Sequence, residues 1–345
     1  MSITVLVLIV VILALVYTFT NGFQDGSSVT AAPIACGAMS ELQAMLVVAS
    51  FEFLGAMLGG SSVVASVHDI TSWPKRPDLL PVLITALSAA VLWNYLTRIL
   101  RVPSSSTHAL VGGLIGAMVA AAHGFKYVNI GHANDVIHST GVVRVLLSLF
   151  ISPLIGIAAG FLLLRIFAIL LVSATPAMNK VLRGLQWITV PILAFAHGAN
   201  DTQKAMAIIV FALQACGISH SGLVPLWARI ITGIAMAFGV IMLAPGIVKR
   251  VGYDIFKLRP LHGFVVELGS EAVILTASVI GGPVATSQVI SSAVVGVGTS
   301  QRMKAVRWLV FKDVFAAWFL TIPCAGLFAY VLYVAFFHLI KISLH

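Results

Sequence analysis

Apolar runs of about 20 residues, the length of helix that crosses the hydrocarbon core of a bilayer, follow one another along this chain with only short polar joints between them. They occupy residues 3–20, 41–67, 79–100, 145–172, 223–245, 261–280 and 308–340. Within lipid every backbone N–H and C=O must find a partner inside the protein, which leaves helices and closed barrels, and runs of this length select helices. Only 9% of the 345 residues are charged and 60% are hydrophobic, whereas soluble domains carry about 25% charged residues. The fold class read from this pattern is an all-α polytopic membrane protein with no soluble module.

The formal net charge of +9 raises nucleic acid as a partner. The basic residues lie in short joints between apolar runs, however, where the positive-inside rule accounts for them without one. Cys36, Cys216 and Cys324 all fall within apolar sequence with no paired spacing, so neither a disulfide framework nor a zinc site is expected. Residues 3–20 lack the basic start of a secretory signal and read as a transmembrane helix. With no organellar transit signal in view, the expected location is the inner (cytoplasmic) membrane of a prokaryote, crossed many times.

Four polar interruptions carry the functional information. Residues 195–206 read F-A-H-G-A-N-D-T-Q-K-A-M, and residues 21–31 read N-G-F-Q-D-G-S-S-V-T-A, with Asp25 standing where Asp201 does. Ionisable groups at membrane depth mark functional sites by default, and both stretches are expected to break their helices. The other two interruptions are P-S-S-S-T-H at residues 103–108 and P-V-A-T-S-Q at residues 283–288. Each follows a full-length run and precedes a short glycine-containing one, as in a re-entrant hairpin.

These interruptions pair up, dividing the chain into a first repeat at residues 1–173, a connector at 174–186 and a second repeat at 187–345. Broken apolar segments at corresponding positions of two halves point to a transporter binding site. The second-half joints carry Lys249, Arg250, Lys257 and Arg259, then Arg302, Lys304, Arg307 and Lys312. Their first-half counterparts hold Lys75, Arg76, Lys126 and Arg144, diluted by Asp69, Asp78 and Asp135. Basic joints face the cytoplasm, so the halves are expected to be inverted relative to one another.

Helix N-termini at the interruptions offer N–H donors to an anion, and Ser105, Ser106 and Thr107 with Thr286 and Ser287 add two facing cups of hydroxyls. Asp25 and Asp201 repel an anion unless cations accompany it, so the chemistry asks for symport with Na+ or H+ and no resident cofactor. A protonated phosphate can donate to a carboxylate and sulfate cannot, which favours phosphate. Sulfate or a metal–phosphate complex remains the alternative substrate.

H-G-A-N-D-T-Q-K-A-M resembles the signature of the inorganic phosphate transporter (Pit) family, and P-S-S-S-T-H at residues 103–108 and G-F-V-V-E at 263–267 extend the resemblance over nearly the whole chain. It implies a cation-coupled phosphate permease, often a homodimer, built around a central site. Asn200, Asp201 and Asp25 carry over as cation-coupling residues, with Na+ at the two aspartates the only metal expected. Gln24 stands where the pattern has Asn, Ala285 where it has Ser, and Gln288 where it has His.

Asn200, Gln24 and Lys204 join the hydroxyls as substrate-binding candidates. Lys204 has two alternatives, snorkelling to a helix end and neutralising Asp201. Glu52, Glu267 and Glu271 lie in apolar runs as proton relays or gates, or as partners of a basic residue such as Arg229. His197 and Asp201, four residues apart, can share a metal only with further ligands, which the local sequence does not supply. His123, His132 and His138 read as solvated loop residues. No Ser/His pair or H-E-x-x-H motif supports an enzyme, and a channel has no need of two carboxylate-bearing interruptions with matched hairpins.

Overall fold

The computed structural model describes residues 2–132, 139–219 and 222–343. Twelve α-helices account for most of them: α1 (Ile3–Ala35), α2 (Glu41–Leu58), α3 (Ser62–His68), α4 (Leu79–Ile99), α5 (Ser106–Ala122), α6 (Gly141–Leu170), α7 (Met178–Ala215), α8 (Leu226–Ile241), α9 (Pro245–Lys249), α10 (Pro260–Ile280), α11 (Thr286–Arg302) and α12 (Trp308–Ser343). Six of these are long and apolar enough to cross a membrane, and α8 with the segment bent 69° beyond it makes a seventh. The chain is a multi-pass membrane protein.

The two hairpins form where proline and glycine stop the helices. α4 and α5 are joined through Pro103, and Ser105 caps α5 by accepting from His108 N at 3.0 Å. α10 ends on Gly281 in the left-handed region (φ 75°), and α11 starts at Thr286 after Pro283.

The other two expected interruptions do not occur. α1 runs through residues 21–28 and α7 through 197–204 without a break. Their glycines serve close packing instead of helix termination: a Cβ on Gly22 would meet Met236 O of α8, and one on Gly198 would meet Glu52 O of α2. Their hydroxyls bond back along the helix, Thr18 to Ala14 O at 2.7 Å and Thr202 to Gly198 O at 2.6 Å, which keeps polar side chains satisfied inside a continuous helix. α7 also begins at Met178, so residues 178–186, expected in the connector, form its first turns.

Two apolar cores flank these polar segments. One gathers Val10 and Ala14 of α1 with α4, α5 and residues 205–215 of α7; the other gathers Val29 and Ala31 of α1 with Val190 to Ala196 of α7, α10 and α11. The start of α1 thus shares a core with the end of α7, so the two equivalent helices run antiparallel with their polar middles between the cores. The halves also interleave. α1 packs on α8, α7 on α2, α5 on α12 and α11 on α6.

His123 and His132 are exposed, as expected of loop residues, and His138 lies outside the described residues. Replacing Gly198 with alanine forces a methyl against the α2 backbone. Overpacking of this kind costs about 1–3 kcal/mol, so the Gly198→Ala variant should melt several degrees lower in detergent, measured by a thermal-shift assay, while an exposed control such as Gly184→Ala, whose Cβ meets nothing within 4 Å, should not.

Candidate functional site

Where the middles of α1 and α7 face each other, the tips of both hairpins converge on them. Asn21 Nδ2 donates to Asp201 Oδ2 at 3.0 Å, tying the two long helices together. From the first hairpin, Ser106 Oγ lies 2.6 Å from Asp25 Oδ2 and 3.0 Å from Asn21 Oδ1. Lys204 Nζ donates to Asp201 Oδ1 at 2.6 Å, to Val284 O at 2.9 Å and to Thr107 Oγ1. From the second hairpin, Thr286 Oγ1 sits 3.4 Å from Asp201 Oδ1. Ser287 Oγ donates to Ser104 O at 2.9 Å, joining the two tips directly.

The remaining candidates brace this centre. Gln24 Nε2 donates to Val102 O at 3.1 Å and to Ser104 Oγ at 3.2 Å, fixing the turn of the first hairpin. Asn200 Nδ2 donates to Ser278 Oγ at 3.0 Å and Gly282 O at 3.2 Å, doing the same for the second. Asp25, Asp201, Asn200, Gln24, Lys204, Ser105, Ser106, Thr286 and Ser287 are all 0% exposed. The constellation is therefore occluded between the halves.

The arrangement offers carboxylate and imidazole ligand atoms beside hydroxyl donors. One ligand atom each from Asp25, His197 and Asp201 lie within 4.8 Å of one another. Asp25 Oδ1, Gln24 Oε1, Ser28 Oγ and Asn200 Oδ1 are buried without a hydrogen-bond partner, and oxygens of this kind are what hard cations take. The third ligand that His197 and Asp201 lack in the local sequence comes from α1, 172 positions before His197.

Comparison with known proteins bears on what such a site serves. The sequence model of the phosphate transporter family matches residues 21–329. The chain belongs to the phosphate transporter family. A probable low-affinity inorganic phosphate transporter of Bacillus subtilis (strain 168) is 33% identical over 331 residues, covering 95% of this chain and 96% of that protein. One of the same description from Rhizobium meliloti (strain 1021) is 32% identical over 326 residues, covering 93% and 94%. The solved structure titled "The sodium-dependent phosphate transporter" superposes with a TM-score of 0.85 at 22% identity, covering 96% of this chain and 99% of that one, so the fold is shared. Membership of the phosphate transporter family places the protein among transporters rather than enzymes.

Three features of this family member escape sequence reasoning. Asn21 and Ser104 belong to the site although only their neighbours were expected there. Glu52, on α2, holds His197 Nδ1 at 2.6 Å, while Arg229 donates to Met57 O at 3.2 Å and does not reach it. Glu267 accepts from Thr189 across the α7–α10 interface. A signal for Asn21 existed, since it occupies the repeat position of His197, four residues before the aspartate in each half. His197 Nε2 in turn lies 3.4 Å from Asp201 Oδ2. Glu52 thus sets the ring that faces Asp201. Removing one partner of a buried pair costs about 3–5 kcal/mol, so Glu52→Ala should lower the melting temperature in detergent far more than Glu41→Ala at the exposed start of the same helix.

Proposed function

We propose that the protein is a secondary active transporter that moves inorganic phosphate together with Na+ or H+ across the cytoplasmic membrane. The observation that carries this reading is the meeting of two fully buried aspartates from the two halves with the hydroxyl-bearing tips of both hairpins. Carboxylates facing an anion need positive charge between them, and the unpartnered oxygens of Asp25, Gln24, Ser28 and Asn200 provide for a cation. Ser106 and Thr286, each within hydrogen-bond reach of a carboxylate, can turn to an oxyanion once that cation binds. Thr107 and Ser287 complete the two cups. Ser105 supports them as the cap of α5.

Phosphate is favoured over sulfate because its O–H groups can donate to Asp25 or Asp201. The similar proteins from Bacillus subtilis and Rhizobium meliloti, described as inorganic phosphate transporters, support the same choice. The antiparallel pairing of α1 and α7 supports inverted halves that rock about the occluded site to alternate access. A sulfate or metal–phosphate permease is the alternative within the same fold.

Labelled phosphate uptake into proteoliposomes, with sodium and pH gradients imposed separately, tests this. Accumulation should follow one of the gradients, and an excess of sulfate should leave it unchanged. The Asp25→Asn protein should lose concentrative uptake, by on the order of a hundredfold if a buried charge contact of about 3 kcal/mol is lost. Uptake by that variant at the wild-type level, or with no gradient at all, would defeat coupled symport.

A further inference from the structure

The two halves differ at one position that bears on how many cations travel. Three residues after Asp201 comes Lys204; three residues after Asp25, at the matching place, comes Ser28. Lys204 is 0% exposed, and its ammonium has protein oxygens for all three of its protons: the Asp201 carboxylate, the Thr107 hydroxyl and the Val284 carbonyl. That is a carboxylate, a hydroxyl and a carbonyl converging on one positive charge, the oxygen shell of a bound monovalent cation.

Beside Asp25 the helix offers a carboxylate and, one turn on, a hydroxyl, with no ammonium at the matching place. Asp25 Oδ1 and Ser28 Oγ are buried without hydrogen-bond partners. The other positively chargeable group at the site, His197, is held by Glu52. All three N–H groups of Lys204 are directed at protein oxygens.

Resting on the phosphate-symport reading, we infer that Lys204 is a tethered counter-cation, fixed where a second transported cation would otherwise sit. The position beside Asp25 and Ser28 is then the one that takes the mobile ion. Because Lys204 reaches Thr107 of the first hairpin and Val284 of the second, it also holds the two tips together whether or not an ion is bound. A carrier built this way moves one cation fewer with each phosphate than one whose halves both read Asp-x-x-Ser.

The test begins with the wild-type protein in proteoliposomes, measuring labelled sodium, or protons by a trapped pH dye, against labelled phosphate. A ratio of one coupling ion per phosphate is expected, and two or more overturns the inference without recourse to any variant. Absence of phosphate uptake in the wild type would instead sink the symport reading itself. Lys204→Ser, which copies the first half into the second, should lose on the order of a hundredfold of its uptake at low sodium. It should recover at high sodium with a steeper concentration dependence than the wild type. Lys204→Ala should recover with methylammonium, a free cation of the right size and charge. Unaltered cation dependence in Lys204→Ser would count against a tethered cation. So would failure of both sodium and methylammonium to restore variants that elute as monodisperse protein.

Discussion

Asp25 and Asp201 lie midway along unbroken helices whose backbone N–H groups are already spent on the helix itself, so the backbone cannot satisfy either carboxylate. An ionised group at that depth costs several kcal/mol unless something polar reaches it. Lys204 reaches Asp201 from one turn along α7, and the rest comes from elsewhere: Asn21 across the helix pair, Ser106 from the first hairpin and Thr286 from the second. The hairpins therefore have to enter the membrane, and each needs a long helix behind it to cover its lipid side. α12 does this for α5 and α6 for α11.

Much of this was readable in the sequence, for specific physical reasons. Pro103 and the Gly281-Gly282-Pro283 run stop helices wherever they occur, so both hairpins stand where expected. The aspartates declared themselves by being charged among apolar neighbours. Helix continuity was not readable, because glycine near a polar residue is compatible with a break and with close packing alike. Which of the two it serves depends on what lies opposite, and for Gly22 and Gly198 that is a backbone carbonyl of a helix more than 100 residues away in sequence.

The pairing of Glu52 with His197 was hidden for the same reason. Either residue alone fits several roles in an apolar helix, and only the approach of α2 to α7, permitted by Gly55 and Gly198, brings them to 2.6 Å. Lys204 was ambiguous between three roles until its three acceptors were known. Sequence spacing placed it one turn from Asp201, which is compatible with contact and does not require it. Thr107 and Val284, its other partners, come from both halves of the chain.

The reciprocal packing of α1 on α8, α7 on α2, α5 on α12 and α11 on α6 ties the first half of the chain to the second at four places. α1 and α7 each find their most extensive packing partner in the other half of the chain. Gly22 and Gly112 pack against the backbones of α8 and α12, so their contact surfaces are complete only once those later helices have been synthesised. A chain severed in its connector would yield two pieces stable only as a reassembled pair.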